Sequence, residues 1–293
     1  MAKQRLDTLL IDRNLCSSRQ QAQRLIRAGE VMVNQQVIDK PGTEINIEAE
    51  IKVKQRSPFV SRGGKKLSKA LNYFNLNVAE RICIDGGIST GGFTDCLLQA
   101  GAKQVYGIDV GYGQVDWKLR NDPRVILLER TNIRHLTPEQ LYKLSDSPLA
   151  KNDIEPDTKV SYPENYADLA VVDVSFISLT KVLPALWDLL KPPREAVLLV
   201  KPQFEVGKER VGKKGVVRSH IDQADAIFQV CATAEKLGWQ YRGLTGSPIQ
   251  GPAGNIEYLL WLSVDGVAFP SIDQIRQTAQ ITQDDLYRSS SKS

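Results

Sequence analysis

The spacing of apolar positions changes along the chain, and each change marks an element. Leu6, Leu9 and Leu10 predict a short amphipathic helix ending near Asn14. Ser18 followed by Gln21 is a capping-box pattern that starts a second helix, and Gly29 is placed to stop it. In that helix Ala22, Leu25 and Ile26 share one side, while Arg19, Gln23, Arg24 and Arg27 share the other. Stretches at 31–33 and 45–53 predict two strands, with turns at Asn34-Gln35 and Pro41-Gly42. Further on, the rhythm becomes an alternation of strands and helices. A helix over 65–74 carries the stripe Leu67, Ala70, Leu71 and Phe74. Strands at 81–84, 104–110, 125–128, 169–172, 197–200 and 256–262 alternate with helices at 94–99, 183–190 and 224–237. The pattern predicts an α/β chain, with a small α+β unit ahead of a Rossmann-like domain on a mostly parallel sheet. The polar stretch 145–165, with Pro148, Pro156 and Pro163, predicts a long surface loop. Residues 264–293 predict a short helix and a flexible Ser-rich tail.

Composition narrows the class. At 293 residues the chain has room for about two domains. Cys16, Cys83, Cys96 and Cys231 form no C-x-x-C pair, which excludes a disulfide scaffold and the common zinc spacings, so no metal is expected. The longest apolar stretch, 169–190, is broken by Asp173, Lys181 and Asp188, and charges interrupt the first 14 residues. A soluble cytoplasmic protein without a membrane partner is expected. The formal net charge is only +4, but residues 1–70 hold 14 Lys/Arg against 7 Asp/Glu, leaving −3 for the remaining 223. Such asymmetry fits a module facing nucleic acid, or a solvated basic surface.

Candidate chemistry begins after the strand at 81–84. It runs into Asp85-Gly86-Gly87-Ile88-Ser89-Thr90-Gly91-Gly92-Phe93, and the next strand closes with Asp109, 24 residues beyond Asp85. This is the layout of a βαβ nucleotide site, although a tight turn with no ligand would share it. Gly-Lys-Ser/Thr and G-x-G-x-x-G are both absent. A carboxylate at Asp85 would repel a pyrophosphate but suits a cationic ligand without phosphate, such as S-adenosylmethionine.

Asp85, Asp109, Asp173 and Lys201 all close strands, and ligands of open parallel sheets bind beyond those ends. Asp173 and Lys201 end strands that are otherwise apolar, as a reactive pair or an ordinary ion pair. Lys66 borders the apolar stripe of its helix, whereas Lys65 and Lys69 point away from it; a snorkelling lysine would fit equally. Glu257, inside the last apolar strand, needs a partner for its charge.

Ordered motifs in both parts resemble known families. Arg5-Leu6-Asp7, Ser18-Arg19-Gln20-Gln21-Ala22, Leu25-Ile26, Gly29, Val31-x-Val33-Asn34 and Pro41-Gly42 resemble the S4 RNA-binding domain. Lys66, Asp173, Lys201 and Glu257 resemble the K-D-K-E tetrad of RrmJ/FtsJ-type ribose 2′-O-methyltransferases. Also similar are VSRGGKKL (60–67), STGGFTDCLL (89–98), DVGYGQ (109–114), LRNDPRV (119–125), DVSFISL (173–179), VKPQFEVGK (200–208) and GNIEYLLWL (254–262). An S4 domain before such a catalytic domain is the arrangement of the TlyA family, some of whose members carry a hemolysin name.

The resemblance implies a class I methyltransferase domain at 65–265, an S4-like domain at 1–59, a linker at 60–64 and a C-terminal segment at 266–293. It implies transfer of a methyl group from S-adenosylmethionine to a cytidine 2′-hydroxyl of rRNA in ribosomal subunits. Lys201 would accept the hydroxyl proton, helped by Lys66 as a neighbouring cation, with Asp173 and Glu257 orienting them. Asp85, Gly87, Ser89, Gly91, Gly92, Phe93, Asp109 and Asp173 would hold the cofactor, with Asn132 at the adenine where relatives carry an acid. Arg5, Arg19, Arg24, Arg27 and Arg62 would face RNA, Arg62 within a hinge or a plain linker. The competing classes are a non-catalytic ribosome-assembly factor, a membrane-active hemolysin and, more distantly, a dinucleotide oxidoreductase.

Overall fold

The computed structural model describes residues 2–53, 58–143 and 162–290. The loop expected over 145–165 falls almost wholly outside them. The chain divides into two compact units, Met1–Pro58 and Phe59–Ser293.

The first unit packs α1 (Leu6–Asp12) and α2 (Arg19–Arg27) over two small sheets. Strand β1 (Lys3–Arg5) pairs with β4 (Glu44–Asn46), while β2 (Val31–Val33) lies between β3 (Gln36–Val37) and β5 (Ile51–Val53). The single strand expected over 45–53 is therefore two. Asn46 Oδ1 accepts the Glu48 N–H and bends the chain between them. Asn34 and Gln35 both take positive φ, the geometry of a tight β2–β3 hairpin. Ser18 caps α2 through the Gln21 N–H, but the Gln21 side chain accepts from Ser17, so the expected box closes one residue early. Leu6, Leu10, Ala22, Ile26 and Val31 are fully buried between the layers.

Asp7 explains where the arginines of this unit go. Its carboxylate is wholly buried at the start of α1 and accepts from Arg5, Arg19 and Gln23 at 3.0 to 3.1 Å. Arg19, expected on a free face of α2, instead spans to α1, and Arg5 is likewise engaged. Arg24 and Arg27 stay exposed.

The second unit is built on a seven-stranded sheet in the order β11-β12-β10-β9-β6-β7-β8. Strands β6 (Ile82–Gly86), β7 (Gln104–Ile108), β8 (Val125–Leu128), β9 (Leu169–Val172) and β10 (Glu195–Val200) are mutually parallel. β12 (Tyr258–Ser263) inserts antiparallel between β10 and β11 (Gln240–Gly246), a strand the sequence pattern did not signal. Helices α3 (Gly63–Phe74), α4 (Gly92–Gln99), α7 (Leu183–Leu189) and α9 (His220–Lys236) cover its faces over two apolar clusters. The short helices α5 (Trp117–Arg120), α6 (Pro138–Tyr142) and α8 (Pro202–Glu205) join them.

Three expectations change here. Gly63 and Gly64, expected in a linker, form the first turn of α3, with Arg62 as its N-cap. A side chain at Gly64 would run into Phe59, and one at Gly92 into Ser61 and Gly64, so the two helix starts touch because both are glycine. The C-terminal segment is a long helix, α10 (Ile272–Ser290), docked through buried Ile275 and Ala279 on α9 and β11. Lys69, expected to face water, donates to Gly246 O at 2.6 Å.

Hydrogen bonds from Arg5, then Gln23 and Arg19, with the Arg19 charge, hold Asp7 ionised well below the usual carboxylate range against the upward push of burial. A depressed folded value adds stability above the unfolded value of about 3.9, and that stability is lost as pH falls below it. Asp7→Asn is expected to speed amide exchange in α1 and α2 at pH 7 by about tenfold, since one lost charged network costs on the order of 1–3 kcal/mol. At pH 2 the difference should shrink. Mass-spectrometric hydrogen exchange on the full chain checks both, and equal protection at pH 7 would refute the role.

Candidate active site

The chain leaves β6 for β7 and β8 on one side, then returns to β9 on the other. That reversal opens a crevice beyond the C-terminal ends of β6 and β9. The two exits meet closely there. Asp173 donates its backbone N–H to Gly86 O at 2.9 Å, and a Cβ on Gly87, at φ +86°, would lie 2.7 Å from Asp173 O.

Two cavities flank this contact, and Gly87, Ser89 and Asp173 line both. One, of about 310 Å³, adds Ile108, Asp109, Val110, Asn132 and Ile133. Among the described residues no lysine or arginine lines it, while two carboxylates do. It therefore suits a neutral or cationic nucleoside and not a phosphate-bearing dinucleotide. Asp109 is fixed by the N–H groups of Ser89 and Gly111, at 2.8 and 2.7 Å. Asn132 Oδ1 caps the next turn through the Arg134 N–H. The other cavity, of about 320 Å³, adds Arg62, Lys66, Gly92, Phe93 and Gln250.

The K-D-K-E residues form two ion pairs. Lys66 Nζ lies 2.6 Å from Glu257 Oε2, with the side chains only 9 % and 1 % exposed. Lys201 Nζ lies 2.6 Å from Asp173 Oδ1 and donates to Ser175 Oγ at 2.9 Å. Glu257 thus has the partner its burial demands, and it stands just before β12. Each lysine is matched by its own acid. Asp173 brings one pair to the shared wall of both cavities, and Lys66 brings the other to the second cavity.

Two expected cofactor residues line neither cavity. Asp85 is fully buried, accepts from Thr94 Oγ1 at 2.6 Å and leaves Oδ1 without a partner among the described residues. Gly91 takes φ +96° as the N-cap of α4, where a side chain would strike Leu119. Both shape the loop from within.

Phe176 was missed as a site residue. It lies in the DVSFISL stretch, but nothing in its spacing set it apart. It is 92 % exposed, holds a strained φ of +64° and lines the nucleoside-sized cavity. Its ring lies 5.3 Å from Phe204, whose ring lies 6.0 Å from Lys201 Nζ.

Residues 59–264 match the FtsJ-like methyltransferase family, and residues 4–51 match the S4 domain. The 16S/23S rRNA (cytidine-2′-O)-methyltransferase TlyA of Mycobacterium tuberculosis is 45 % identical over 88 % of this chain and 89 % of its own. Hemolysin A of Brachyspira hyodysenteriae is 39 % identical over 87 % of this chain and 98 % of its own. The chain belongs to the TlyA family of FtsJ-like methyltransferases. A solved Streptococcus thermophilus chain, provisionally titled a hemolysin, is 39 % identical with a TM-score of 0.71 over 99 % of both chains. The fold is thus the methyltransferase fold the motifs implied, with S-adenosylmethionine as its cofactor. The cation-free cavity at the glycine cradle fits that cofactor, which carries a sulfonium and no phosphate. Among the described residues no helix is long and apolar enough to cross a membrane.

Burial pushes the Asp85 carboxyl up to about 7. The folded protein then binds one more proton at this site than the unfolded chain between about pH 4 and 7, so stability falls as pH rises through that window. Asp85→Asn, which cannot ionise, is expected to reduce the drop in Tm between pH 5 and pH 8. An unaltered pH dependence in thermal melts would contradict the assignment.

Proposed function

We propose that this protein methylates the 2′-hydroxyl of a cytidine in rRNA, drawing the methyl group from S-adenosylmethionine. The observation that carries the reading is Asp173. It is one wall shared by a cation-free cavity of nucleoside size and by a cavity holding Lys66, and its carboxylate grips Lys201. The site can hold a sulfonium cofactor on one side and a ribose on the other, with lysines at the seam. The substrate named for the Mycobacterium tuberculosis relative agrees with that geometry.

When bound, S-adenosylmethionine would supply an already activated methyl group, its sulfur keeping the electron pair of the carbon–sulfur bond as the methyl group leaves. The protein's task is then to position the ribose and receive one proton. Gly87 and Ser89 would hold the cofactor beside Asp173, while Asp109 and Asn132 would take its ribose and adenine. Lys201 Nζ, in its neutral form, takes the proton from the 2′-hydroxyl as that oxygen bonds to the methyl carbon. Asp173 and Ser175 orient Lys201, and the Lys66–Glu257 pair sets the charge beside the ribose. Phe176, exposed and backed by Phe204, offers a ring on which the target base can stack once unpaired. Arg24, Arg27 and Arg62 remain exposed for RNA phosphates, in a protein that works in the cytoplasm on ribosomal subunits.

Lys201→Ala is expected to lower methyl transfer to rRNA by at least about 100-fold, the usual weight of a general base, with cofactor affinity by calorimetry unchanged. Full activity in that variant would remove Lys201 from the role. Phe176→Ala should raise KM for rRNA, by about 1–3 kcal/mol for one lost stacking contact, without changing cofactor affinity. Mapping 2′-O-methyl sites in rRNA from a strain lacking the protein tests the whole reading: a cytidine that loses its mark supports it, and an unchanged map overturns it.

A further inference from the structure

By charge count the catalytic unit looks unremarkable, yet its cations are not spread evenly. Residues 208–218 hold five cations and one acid, a local +4 that equals the formal charge of the whole chain. Arg210 is engaged by Asp222 and Asp225. Lys208, Lys213, Lys214 and Arg218 are exposed, and none of the four has an ion-pair partner among the described residues.

Such a loop would ordinarily be a solvated excursion, but this one is built. Val206, Val211 and Val217 pack on Ala226 of α9 as a small core beneath it. Asn255 is 2 % exposed; its Oδ1 accepts from the Val217 N–H and its Nδ2 donates to Gly215 O, at 2.9 and 2.8 Å. Gln223, equally buried, donates to Val217 O and accepts from Tyr258 Oη. The turn carrying Lys213 and Lys214 is closed by Gly212 N–H to Val216 O, with Lys214 itself at φ +69°. A lysine in the left-handed region costs on the order of 1 kcal/mol, so its surroundings must hold it there.

Both stems of the loop lead to the active site. Asn255 and Tyr258 bracket Glu257 in sequence. On the other side Glu205, four residues after Lys201, accepts from Ser178 Oγ and the Leu179 N–H, just past the loop of Asp173 and Phe176. The loop therefore presents four unspent cations from a frame tied to Glu257 and to the Asp173 loop.

We propose that loop 208–218 grips the sugar-phosphate backbone of the RNA substrate beside the catalytic lysines, as a second electrostatic contact separate from the S4-like unit. The proposal rests on the reading of the protein as an rRNA methyltransferase. Free, spaced cations match the phosphates of a nucleic acid. An anionic lipid surface is the poorer match, because a membrane-seeking loop also offers large apolar side chains, and none within 208–218 is exposed.

The test uses the full chain with Lys208, Lys213, Lys214 and Arg218 replaced together by alanine, beside a control with the three lysines changed to arginine. Filter binding to 16S and 23S rRNA is measured across a range of KCl. Each phosphate contact contributes about 0.7–0.9 to the slope of log K against log salt. The alanine variant should lose up to about 3 from that slope and bind at least about tenfold more weakly at low salt. Its KM for rRNA should rise while kcat and cofactor affinity hold, and the arginine control should match wild type. An unchanged slope and KM would overturn the proposal, as would loss of binding to phosphatidylglycerol vesicles with rRNA binding intact. Methyl transfer by the wild-type chain is followed in parallel. No transfer speaks against the function itself, whereas normal transfer with an indifferent loop speaks only against the loop.

Discussion

The functional region depends on one close approach, that of the β6 exit to the β9 exit. A backbone hydrogen bond from Asp173 to Gly86 joins them, and only a residue without a side chain fits at Gly87. The two strands are neighbours because the chain reverses its progress across the sheet between them. The constraint has a direct chemical result. Any ligand that enters from the β7 side and any that enters from the α3 side must meet at Asp173, because the same residue walls both cavities. A methyl group passed from one cavity to the other has little distance to travel, which is the main thing a protein can contribute when the donor is already activated.

Charge placement follows from the same crowding. A buried lysine is costly unless it is paired, and Lys66 on α3 and Lys201 at the end of β10 each have a carboxylate of their own. The pairs are not equivalent. Lys66–Glu257 is almost wholly buried and ties α3 to the start of β12, so it acts as a joint as well as a charge. Lys201–Asp173 is more open on the acid's side, where Asp173 is 21 % exposed, and it borders the space in which the two ligands would meet. That difference supports assigning the proton transfer to Lys201 and the supporting role to Lys66.

Much of this was legible in the sequence because the signals are local. Strand runs such as LAVVDV and AVLLVKP end in a charge, and a charge closing an apolar run has few structural uses. The left-handed glycines and the acid after β7 are likewise local. What escaped was set by tertiary contact. β11 reads GLTG with little alternation and becomes a strand only because β12 lies beside it. The tail looked polar and Ser-rich, yet Ile275 and Ala279 sit one helical turn apart and dock on a face formed by distant residues. Asp85 looked like a ligand residue because it precedes the glycines, but the strand's alternation turns it inward onto Thr94. Phe176 looked like an ordinary apolar residue, and only its exposure and strained backbone single it out.

Counting charges misled in both directions, for one physical reason. The arginines of the first unit looked free, and two of them are bound to a buried Asp7 that cannot do without them. The catalytic unit looked neutral, and it holds four lysine and arginine side chains on a braced loop with no ion-pair partner among the described residues. A cation available to RNA is one whose release from its present neighbours costs nothing, and net charge is blind to that cost. Arg19 would have to abandon a desolvated carboxylate to reach a phosphate, so its attraction to RNA is already largely offset. Lys213 and Lys214 would give up only water and counterions, and releasing counterions is what drives such binding. The basic quarter and the near-neutral remainder thus differ less in their power to hold RNA than their sums, +7 and −3, suggest.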